Sequence, residues 1–176
     1  MILVTGGGGF LGKAIVERLL ALGERVRILQ RRPQAELQAR GVDVVQADLG
    51  DAEAVATACH GCGSVFHVAA KAGVWGHVAD YERSNVAGTR HVLAGCRLAG
   101  VRQLLYTSSP SVVFDGTDED GIDESVPYPD RHLNAYSATK ARAEAEILTA
   151  NGDDLHTVAL RPHLIWGPDD PHLLPR

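Results

Sequence analysis

The length, composition and charge of the chain exclude several classes of protein. It has 176 residues, of which 45% are hydrophobic and 22% charged, as in globular proteins rather than disordered or fibrous ones. The net charge of −5 argues against a broad electrostatic surface for nucleic acid or for anionic membrane. We therefore expect a small molecule, and no nucleic acid, as the partner of this chain.

The sequence contains no apolar run of membrane-spanning length, and its first apolar segment begins at Ile2, which leaves no room for a secretory leader. These features predict a cytoplasmic protein without a membrane span. Three cysteines fit a reducing compartment. We interpret the C-x-x-C of Cys59 and Cys62 as structural, because it closes a predicted helix and has no second ligand pair nearby, and we expect no metal site.

Apolar runs rich in β-branched residues alternate with segments of helical periodicity along the chain. In chain order they predict a strand at 2–5, a helix at 10–22, strands at 25–29 and 42–46, a helix at 53–59, a strand at 64–68, a helix at 80–98, a strand at 103–107, a helix from the cap Asn134 to residue 150, and a strand at 155–160. The connection 110–133 has the length of a functional or mobile loop. This order predicts an α/β fold, with one Rossmann-type domain over 1–176 and a doubly wound parallel sheet of at least six strands.

The first predicted strand runs into the glycine-rich turn TGGGGFLG and then into a helix. A diphosphate must approach backbone N–H groups at such a helix N-terminus, and a Cβ on the turn would collide with it. The four glycines fit both G-x-G-x-x-G and T-G-x-x-G-x-x-G, and the spacing leaves both patterns open. Candidate cofactor contacts in this turn are Thr5, Gly6, Gly9, Phe10, Leu11 and Gly12.

The residues after the second predicted strand bear on the choice of cofactor. An NAD-binding protein of this fold carries an acidic residue there for the ribose hydroxyls, whereas this sequence has Gln30 followed by Arg31 and Arg32. Two guanidinium groups can pair with a 2′-phosphate, so NADP(H) is favoured over NAD(H). Asp48 and Leu49 follow the third strand, and Asp48 is either a contact to the adenine edge or a turn residue.

Tyr136 and Lys140 lie four residues apart in YSATK, so a helix places them on one face. A free tyrosine has a pKa of about 10, and acid or base action near neutral pH requires a shift of about three units, or roughly 4 kcal/mol. A cation about 4 Å away at an effective dielectric of about 20 supplies that energy. The spacing therefore predicts a general acid or base at Tyr136, assisted by Lys140.

Hydroxyl side chains end the fifth predicted strand, at the sheet edge where open α/β folds bind ligands. Ser109 is preferred over Ser108 as a hydrogen-bond donor to a substrate oxygen, because a one-residue slip turns the side chain to the opposite face. Serines at strand ends are also ordinary turn residues.

Four motifs together resemble the extended short-chain dehydrogenases/reductases: TGGGGFLG, NVAGT at 85–89, TSS with YSATK, and RPHLIWGP at 161–168. Within them the sequence is most similar to the 3β-hydroxysteroid dehydrogenase branch, and KAGVWG, TSSPSVVFDG and RPHLIWGPDDP are similar to bacterial reductases of 2-alkyl-3-oxoalkanoates. The resemblance implies NADP(H)-dependent interconversion of a ketone and a secondary alcohol, on a hydrophobic β-keto or β-hydroxy acid.

The resemblance also implies roles for individual residues. Tyr136 would be the general acid or base, Lys140 would hold the nicotinamide ribose and lower the tyrosine pKa, Ser109 would position the carbonyl, and Asn85 would order the site. Further cofactor contacts would come from Ala69, Ala70, Lys71 and Pro162. Lys71 and His163 are candidates for pairing with a substrate carboxylate, against their ordinary interpretation as solvated or structural side chains.

Several alternatives stay open at this point. A sugar-nucleotide epimerase or dehydratase and a sterol dehydrogenase share the superfamily, although a dehydratase would carry an acidic pair at Pro110 and Ser111, and the sterol enzymes usually prefer NAD. A non-catalytic NADP(H) sensor would commonly lack the Tyr136–Lys140 pair, and a methyltransferase would not need it. Because family members continue into a C-terminal substrate lobe, this chain is expected to be a fragment from which that lobe is largely absent. A homodimer is a further expectation from the family.

Overall fold

The computed structural model describes residues 1–168 and residue 170, and at its centre is a parallel six-stranded sheet. Positions 169 and 171–176, which include the end of the RPHLIWGPDDP motif, lie outside the described residues. The spatial order of the strands is β3-β2-β1-β4-β5-β6, and every neighbouring pair is parallel. This is the strand order of the Rossmann fold, so the predicted doubly wound α/β architecture is confirmed. The strands are β1 (Ile2–Thr5), β2 (Val26–Gln30), β3 (Asp43–Gln46), β4 (Ser64–His67), β5 (Gln103–Thr107) and β6 (His156–Leu160).

Helices cover both faces of the sheet. They are α1 (Phe10–Ala21), α2 (Ala35–Ala39), α3 (Ala52–Cys59), α4 (Val78–Tyr81), α5 (Gly88–Ala99) and α6 (Ala135–Thr149). A π-helix at Glu82–Ala87 joins α4 to α5, and a short 3-10 helix at Pro110–Val112 opens the long connection. The single helix predicted at 80–98 is therefore three consecutive helical segments, and the five-residue α2 was not predicted.

The alternation of side chains along a strand divides the core into two layers. Leu3 and Val4 are both fully buried, and they belong to different hydrophobic clusters because successive strand residues point to opposite faces. The layer around Leu3 includes residues of α3, α5 and α6, whereas the layer around Val4 includes residues of α1 and α2. Burial on both faces explains why the strands are almost continuously apolar.

Caps and cysteines behave as the sequence predicts. Asn134 caps α6, with its Oδ1 accepting a hydrogen bond of 2.9 Å from the Ser137 amide. Cys59, Cys62 and Cys96 are buried and free, in the same core layer.

Over the described residues, no group of His, Cys, Asp and Glu side chains could hold a metal ion. No helix in that part of the chain is long and apolar enough to cross a membrane.

Because all strands are parallel, their carboxyl ends meet at one edge of the sheet. The connections from β1 lead to β2 on one side, and the chain returns to place β4 on the other side. A crevice forms at such a point of reversal, and ligands of open α/β sheets bind there. The glycine-rich turn follows β1, and the serine pair follows β5, so both lie at this edge.

Candidate active site

One cavity of about 820 Å³ opens at the carboxyl edge of the sheet. Its size lies within the usual range for a small-molecule or cofactor site. The cavity brings together most of the site residues that the sequence predicts. Those lining it are Gly6, Gly9, Phe10, Leu11, Gly12, Arg31, Arg32, Asp48, Leu49, Ala69, Ala70, Lys71, Ser109, Tyr136, Lys140 and Pro162.

The glycine turn forms one end of this cavity. Gly6 has φ of 70°, a left-handed conformation that favours glycine. A Cβ on Gly12 would overlap the carbonyl oxygen of Gly6, so no other residue fits there without a shift of the backbone. Helix α1 begins after Gly9 without a side-chain cap and without an acidic residue in its first turn. Its first N–H groups are therefore available to an anion, as a dinucleotide diphosphate requires.

Two arginines lie where β2 ends, at the far side of the turn. Arg31 is largely exposed, and its Nε lies 3.9 Å from Oδ2 of Asp48. The other oxygen of Asp48, Oδ1, accepts a 2.8 Å hydrogen bond from the Gly50 amide. Asp48 thus has the turn role that the sequence left open, and it also faces the cavity. Gln34, Arg83 and Ser84 line the same region and were not predicted, because no local motif marks them.

Tyr136 and Ser109 both line the cavity. The Ser109 side chain acts to lower the pKa of the Tyr136 phenol, and this favours Ser109 over Ser108 as the functional serine. The Ser109 Oγ also lies 2.9 Å from the Ser111 Oγ. Burial raises the pKa of Tyr136, and the nearby Ser109 side chain offsets part of that shift. The loss of water around the phenol thus outweighs the favourable contacts, and the lowering of the tyrosine pKa by Lys140 stays a prediction.

Lys140 is buried behind this pair and is 2% exposed. Its Nζ donates a 2.6 Å hydrogen bond to the Thr107 carbonyl oxygen and lies 4.0 Å from the centroid of the Tyr106 ring. Burial lowers the pKa of Lys140 to about 7, although the charge of Glu144 acts in the opposite direction. The ammonium is thus held by a backbone carbonyl and an aromatic face.

A second buried polar cluster lies one helical turn beyond Lys140. Glu144, 1% exposed, accepts hydrogen bonds from the Arg161 guanidinium, the shortest 2.5 Å, and one of 2.8 Å from the Tyr128 hydroxyl. This cluster joins α6 to the long connection and to the segment after β6 that carries Pro162. The sequence did not predict it, since its three members come from three separate regions.

Two predicted residues do not line the cavity but lie directly behind it. Thr5 is fully buried, and its Oγ1 accepts hydrogen bonds from the amides of Val68 and Ala69, at 3.2 and 3.1 Å. Asn85 is 1% exposed, and its side chain binds both backbone groups of Lys71. Both residues therefore hold the cavity wall rather than face its interior.

The two candidates for binding a carboxylate differ in position. Lys71 lines the cavity, with its Nζ 3.7 Å from Oδ2 of Asp80 and 5.1 Å from the centroid of the Tyr81 ring. His163 is exposed and is not among the residues that line the cavity. The structure thus brings only Lys71 to the site.

A glycine turn at a helix N-terminus and a Tyr–Ser–Lys group share one cavity of a Rossmann fold, which is the arrangement of the extended short-chain dehydrogenases/reductases. The chain belongs to the 3-beta hydroxysteroid dehydrogenase/isomerase family, whose family model matches residues 3–176.

Two bacterial reductases are similar to this chain along nearly its whole length. The chain is 53% identical over 180 residues to 2-alkyl-3-oxoalkanoate reductase of Shewanella oneidensis, covering 98% of this chain and 46% of that protein. It is 49% identical over 178 residues to 2-alkyl-3-oxoalkanoate reductase of Stenotrophomonas maltophilia, covering 99% of this chain and 54% of that protein. The chain thus spans about half the length of these curated relatives.

A solved structure supports the same fold. UDP-glucose 4-epimerase of Thermus thermophilus, in complex with NAD, superposes with a TM-score of 0.85 at 33% identity. The superposition covers 97% of this chain and 58% of the epimerase chain. The resemblance to the extended short-chain dehydrogenases/reductases predicted from sequence motifs is therefore confirmed.

Proposed function

We propose that the protein is an NADPH-dependent reductase that converts the ketone of a 2-alkyl-3-oxo fatty acid into a secondary alcohol. The observation that supports this most directly is that Tyr136, Ser109 and Lys140 line the same cavity as the glycine turn. The names of the two reductase relatives support the substrate class. The proposal concerns the whole protein, since the chain matches only about half of each relative.

The cavity residues fit a dinucleotide along its length. The diphosphate would rest on the turn at Gly6–Gly9, which carries no side chains, and against the first N–H groups of α1. The nicotinamide half would lie along Ala69 and Ala70, towards Lys140 and Pro162, which line the same cavity. When bound, the reduced dinucleotide supplies the hydride. The protein must then position the carbonyl and provide the proton.

The chain's own residues account for both tasks. Ser109 donates a hydrogen bond to the carbonyl oxygen as negative charge develops on it. Tyr136 gives its proton to the same oxygen, and the raised pKa that burial produces keeps the phenol protonated at neutral pH, as reduction requires. The positive charge of Lys140, when protonated, stabilises the phenolate that remains after the transfer.

Arg31 and Arg32 support NADP(H) over NAD(H). Both line the cavity at the end where the adenosine would lie. They stand where an NAD-binding protein has an acidic residue, which would repel a 2′-phosphate. Asp48 partly offsets the charge of Arg31, but an exposed pair at 3.9 Å contributes at most about 1 kcal/mol. We also propose a cytoplasmic location and a homodimer, as the family resemblance implies.

The function is tested by following NADPH oxidation by the full-length protein with a 2-alkyl-3-oxo acid. Turnover is expected in the wild type, and the Tyr136→Phe variant is expected to lose it by at least about 100-fold, because it lacks the transferable proton. NADPH binding to Tyr136→Phe, measured by fluorescence, should stay within about twofold of wild type, because the substitution leaves the glycine turn and the arginine pair unchanged. Wild-type activity that survives in the phenylalanine variant would refute the assigned mechanism.

The family itself favours a second candidate, the oxidation of a 3β-hydroxysteroid. The same preparation should be assayed with NAD and such a steroid, and with a UDP-sugar for epimerase activity. Turnover of either in preference to the oxo acid would replace the proposed substrate. Tight dinucleotide binding without turnover of any carbonyl substrate would instead indicate a sensor.

A further inference from the structure

A buried histidine that the proposed chemistry does not use lies between the two halves of the site. His67 is the last residue of β4, where it pairs in register with Thr5 of β1 and Tyr106 of β5. It is 1% exposed. Its Nδ1 lies 2.8 Å from the Thr5 hydroxyl and its Nε2 lies 3.0 Å from the Thr89 hydroxyl. The imidazole therefore bridges the strand that precedes the glycine turn and the helix α5.

The neighbouring hydrogen bonds determine which nitrogen carries the proton. Thr5 Oγ1 already accepts hydrogen bonds from the amides of Val68 and Ala69. A hydroxyl has one hydrogen to donate, so that of Thr5 points to Nδ1 of His67, which must be unprotonated. The proton is then on Nε2 and is donated to Thr89. Burial, with a smaller effect of the Lys140 charge, lowers the pKa of His67 to about 3 and keeps the ring neutral.

The chain of hydrogen bonds continues from Thr89 into the π-helix. The Thr89 hydroxyl donates a 2.6 Å hydrogen bond to the backbone carbonyl oxygen of Asn85. The Asn85 side chain in turn accepts from the Lys71 amide at 2.7 Å and donates to the Lys71 carbonyl oxygen at 3.1 Å. It also donates to the hydroxyl of Thr139, the residue before Lys140, at 3.1 Å.

Each hydrogen bond of this network has a fixed donor and a fixed acceptor. The network therefore has a single arrangement, and a shift of the π-helix relative to β4 would leave a buried polar group unpaired. It connects the wall at residues 68–71, where the nicotinamide half would lie, to the helix that carries Tyr136 and Lys140. A π-helix inserted into an α-helix is typically associated with such a functional constraint.

We propose that His67 is a positioning residue: its ring, held between two threonine hydroxyls, keeps the π-helix that carries Asn85 in register with the glycine turn. This inference rests on the function proposed above, since it assigns the network a role in that site. The diphosphate end of the site is held by backbone hydrogen bonds that involve neither His67 nor Thr89: the Gly9 amide donates to the Gly6 carbonyl oxygen at 2.9 Å, and the Lys13 amide donates to the Gly9 carbonyl oxygen at 2.7 Å. Disturbing the network should therefore affect the nicotinamide end selectively.

The test compares Thr89→Val, which has the same shape without the hydroxyl, with Thr89→Ser, which keeps the hydroxyl. Both variants are made in the full-length protein. The dissociation constants are measured for ADP and for NADPH or NADH, whichever the wild type binds more tightly. The values of kcat and KM are measured with the oxo acid. In Thr89→Val, ADP affinity should stay within about twofold, while dinucleotide affinity and kcat each fall about tenfold. Thr89→Ser should restore both quantities to near wild type.

An independent measurement needs no variant. The nitrogen chemical shifts of the His67 ring in the wild-type protein should show a neutral imidazole protonated on Nε2. The assignment would be overturned by a proton on Nδ1 or by a charged ring. It would equally be overturned by equal losses of affinity and kcat in Thr89→Ser and Thr89→Val, or by wild-type affinity and kcat in Thr89→Val. A wild-type protein that lacks turnover, but whose variants show the selective loss of dinucleotide affinity, would refute the proposed function and leave the role of His67 intact.

Discussion

Lys140 donates a 2.6 Å hydrogen bond from its Nζ to the carbonyl oxygen of Thr107, at the end of the strand that leads to Ser109. This contact ties helix α6 to the edge of the sheet, and it takes an ammonium group out of water. Burial lowers the pKa of the Lys140 side chain to about 7, whereas an unfolded lysine titrates at about 10.4.

The Lys140→Met variant is therefore expected to change how stability depends on pH in the absence of cofactor. Between about pH 7 and pH 10 the unfolded wild type binds one more proton at this position than the folded protein, so wild-type stability rises with pH by up to about 1.4 kcal/mol per unit. Methionine removes this contribution, and the variant should be more stable than wild type near pH 7, with an advantage that shrinks as the pH rises.

Urea unfolding at several pH values measures this difference. Lys13→Met is a suitable control, because the Lys13 side chain is 45% exposed and its nearest carboxylate oxygen, on Glu36, is 4.0 Å away. It should keep the pH dependence of the wild type. Parallel stability curves for wild type and Lys140→Met would show that the buried lysine is not destabilised by desolvation.

The sheet could be predicted from the sequence because its signal is local. The apolar, β-branched runs at each strand are buried on both faces, and the predicted strand ends differ from the observed ones by at most one residue. Helix α2 has only five residues and no side-chain cap, so it gave no periodic signal. The π-helix depends on distant partners, since the Asn85 side chain binds Lys71 and Thr139.

The candidate site likewise divides into residues with a local sequence signal and residues defined by distant partners. Residues within motifs, such as Tyr136, Lys140 and those of the glycine turn, were predicted because their spacing along the chain carries the chemistry. His67 and Glu144 were missed because their partners are far away in sequence: His67 meets Thr5 across 62 positions and Glu144 meets Arg161 across 17. Only the folded sheet brings such groups together.

The arginine pair after β2 is expected to determine the preference between the two dinucleotides. Replacing both Arg31 and Arg32 by alanine removes the groups that can pair with a 2′-phosphate, so the ratio of NADPH to NADH affinity should fall by roughly 10- to 100-fold. Affinity for NADH should change little. Arg25 precedes β2 and does not line the cavity, so Arg25→Ala serves as a control for the loss of an arginine outside the site. An equal loss for both dinucleotides would contradict a specific 2′-phosphate site.

The glycine turn offers a test by a single methyl group. A Cβ at Gly12 would overlap the Gly6 carbonyl oxygen, so Gly12→Ala must shift the turn and is expected to weaken dinucleotide binding by more than about tenfold. Gly63→Ala adds the same methyl group where no atom lies within 4 Å, and it should bind the dinucleotide as wild type does. Titration calorimetry with the dinucleotide measures both. Normal binding by Gly12→Ala would show that the turn is not the diphosphate site.

Two glutamates of helix α6 pair with arginines, and the two pairs should differ in energy because their burial differs. Glu144 is 1% exposed and is held by Arg161 and Tyr128, whereas Glu146 is 30% exposed and pairs with Arg90 at the surface. Glu144→Gln leaves the Arg161 charge without its buried partner and should lower the free energy of unfolding by about 3 kcal/mol. Glu146→Gln should cost less than about 1 kcal/mol, because solvent screens that pair.

The pH dependence supplies a further criterion for the buried pair. Burial alone would raise the pKa of Glu144, but the hydrogen bonds from Arg161 and Tyr128, together with the Arg161 charge, outweigh it and leave the pKa lowered. The stabilisation is therefore complete above about pH 4.3, where an unfolded glutamate is ionised, and it is lost as the pH falls through the lower folded value. The difference between wild type and Glu144→Gln should accordingly narrow in acid, as measured by urea unfolding at a series of pH values. A difference independent of pH would mean that packing, rather than the charge of Glu144, joins α6 to the segment after β6.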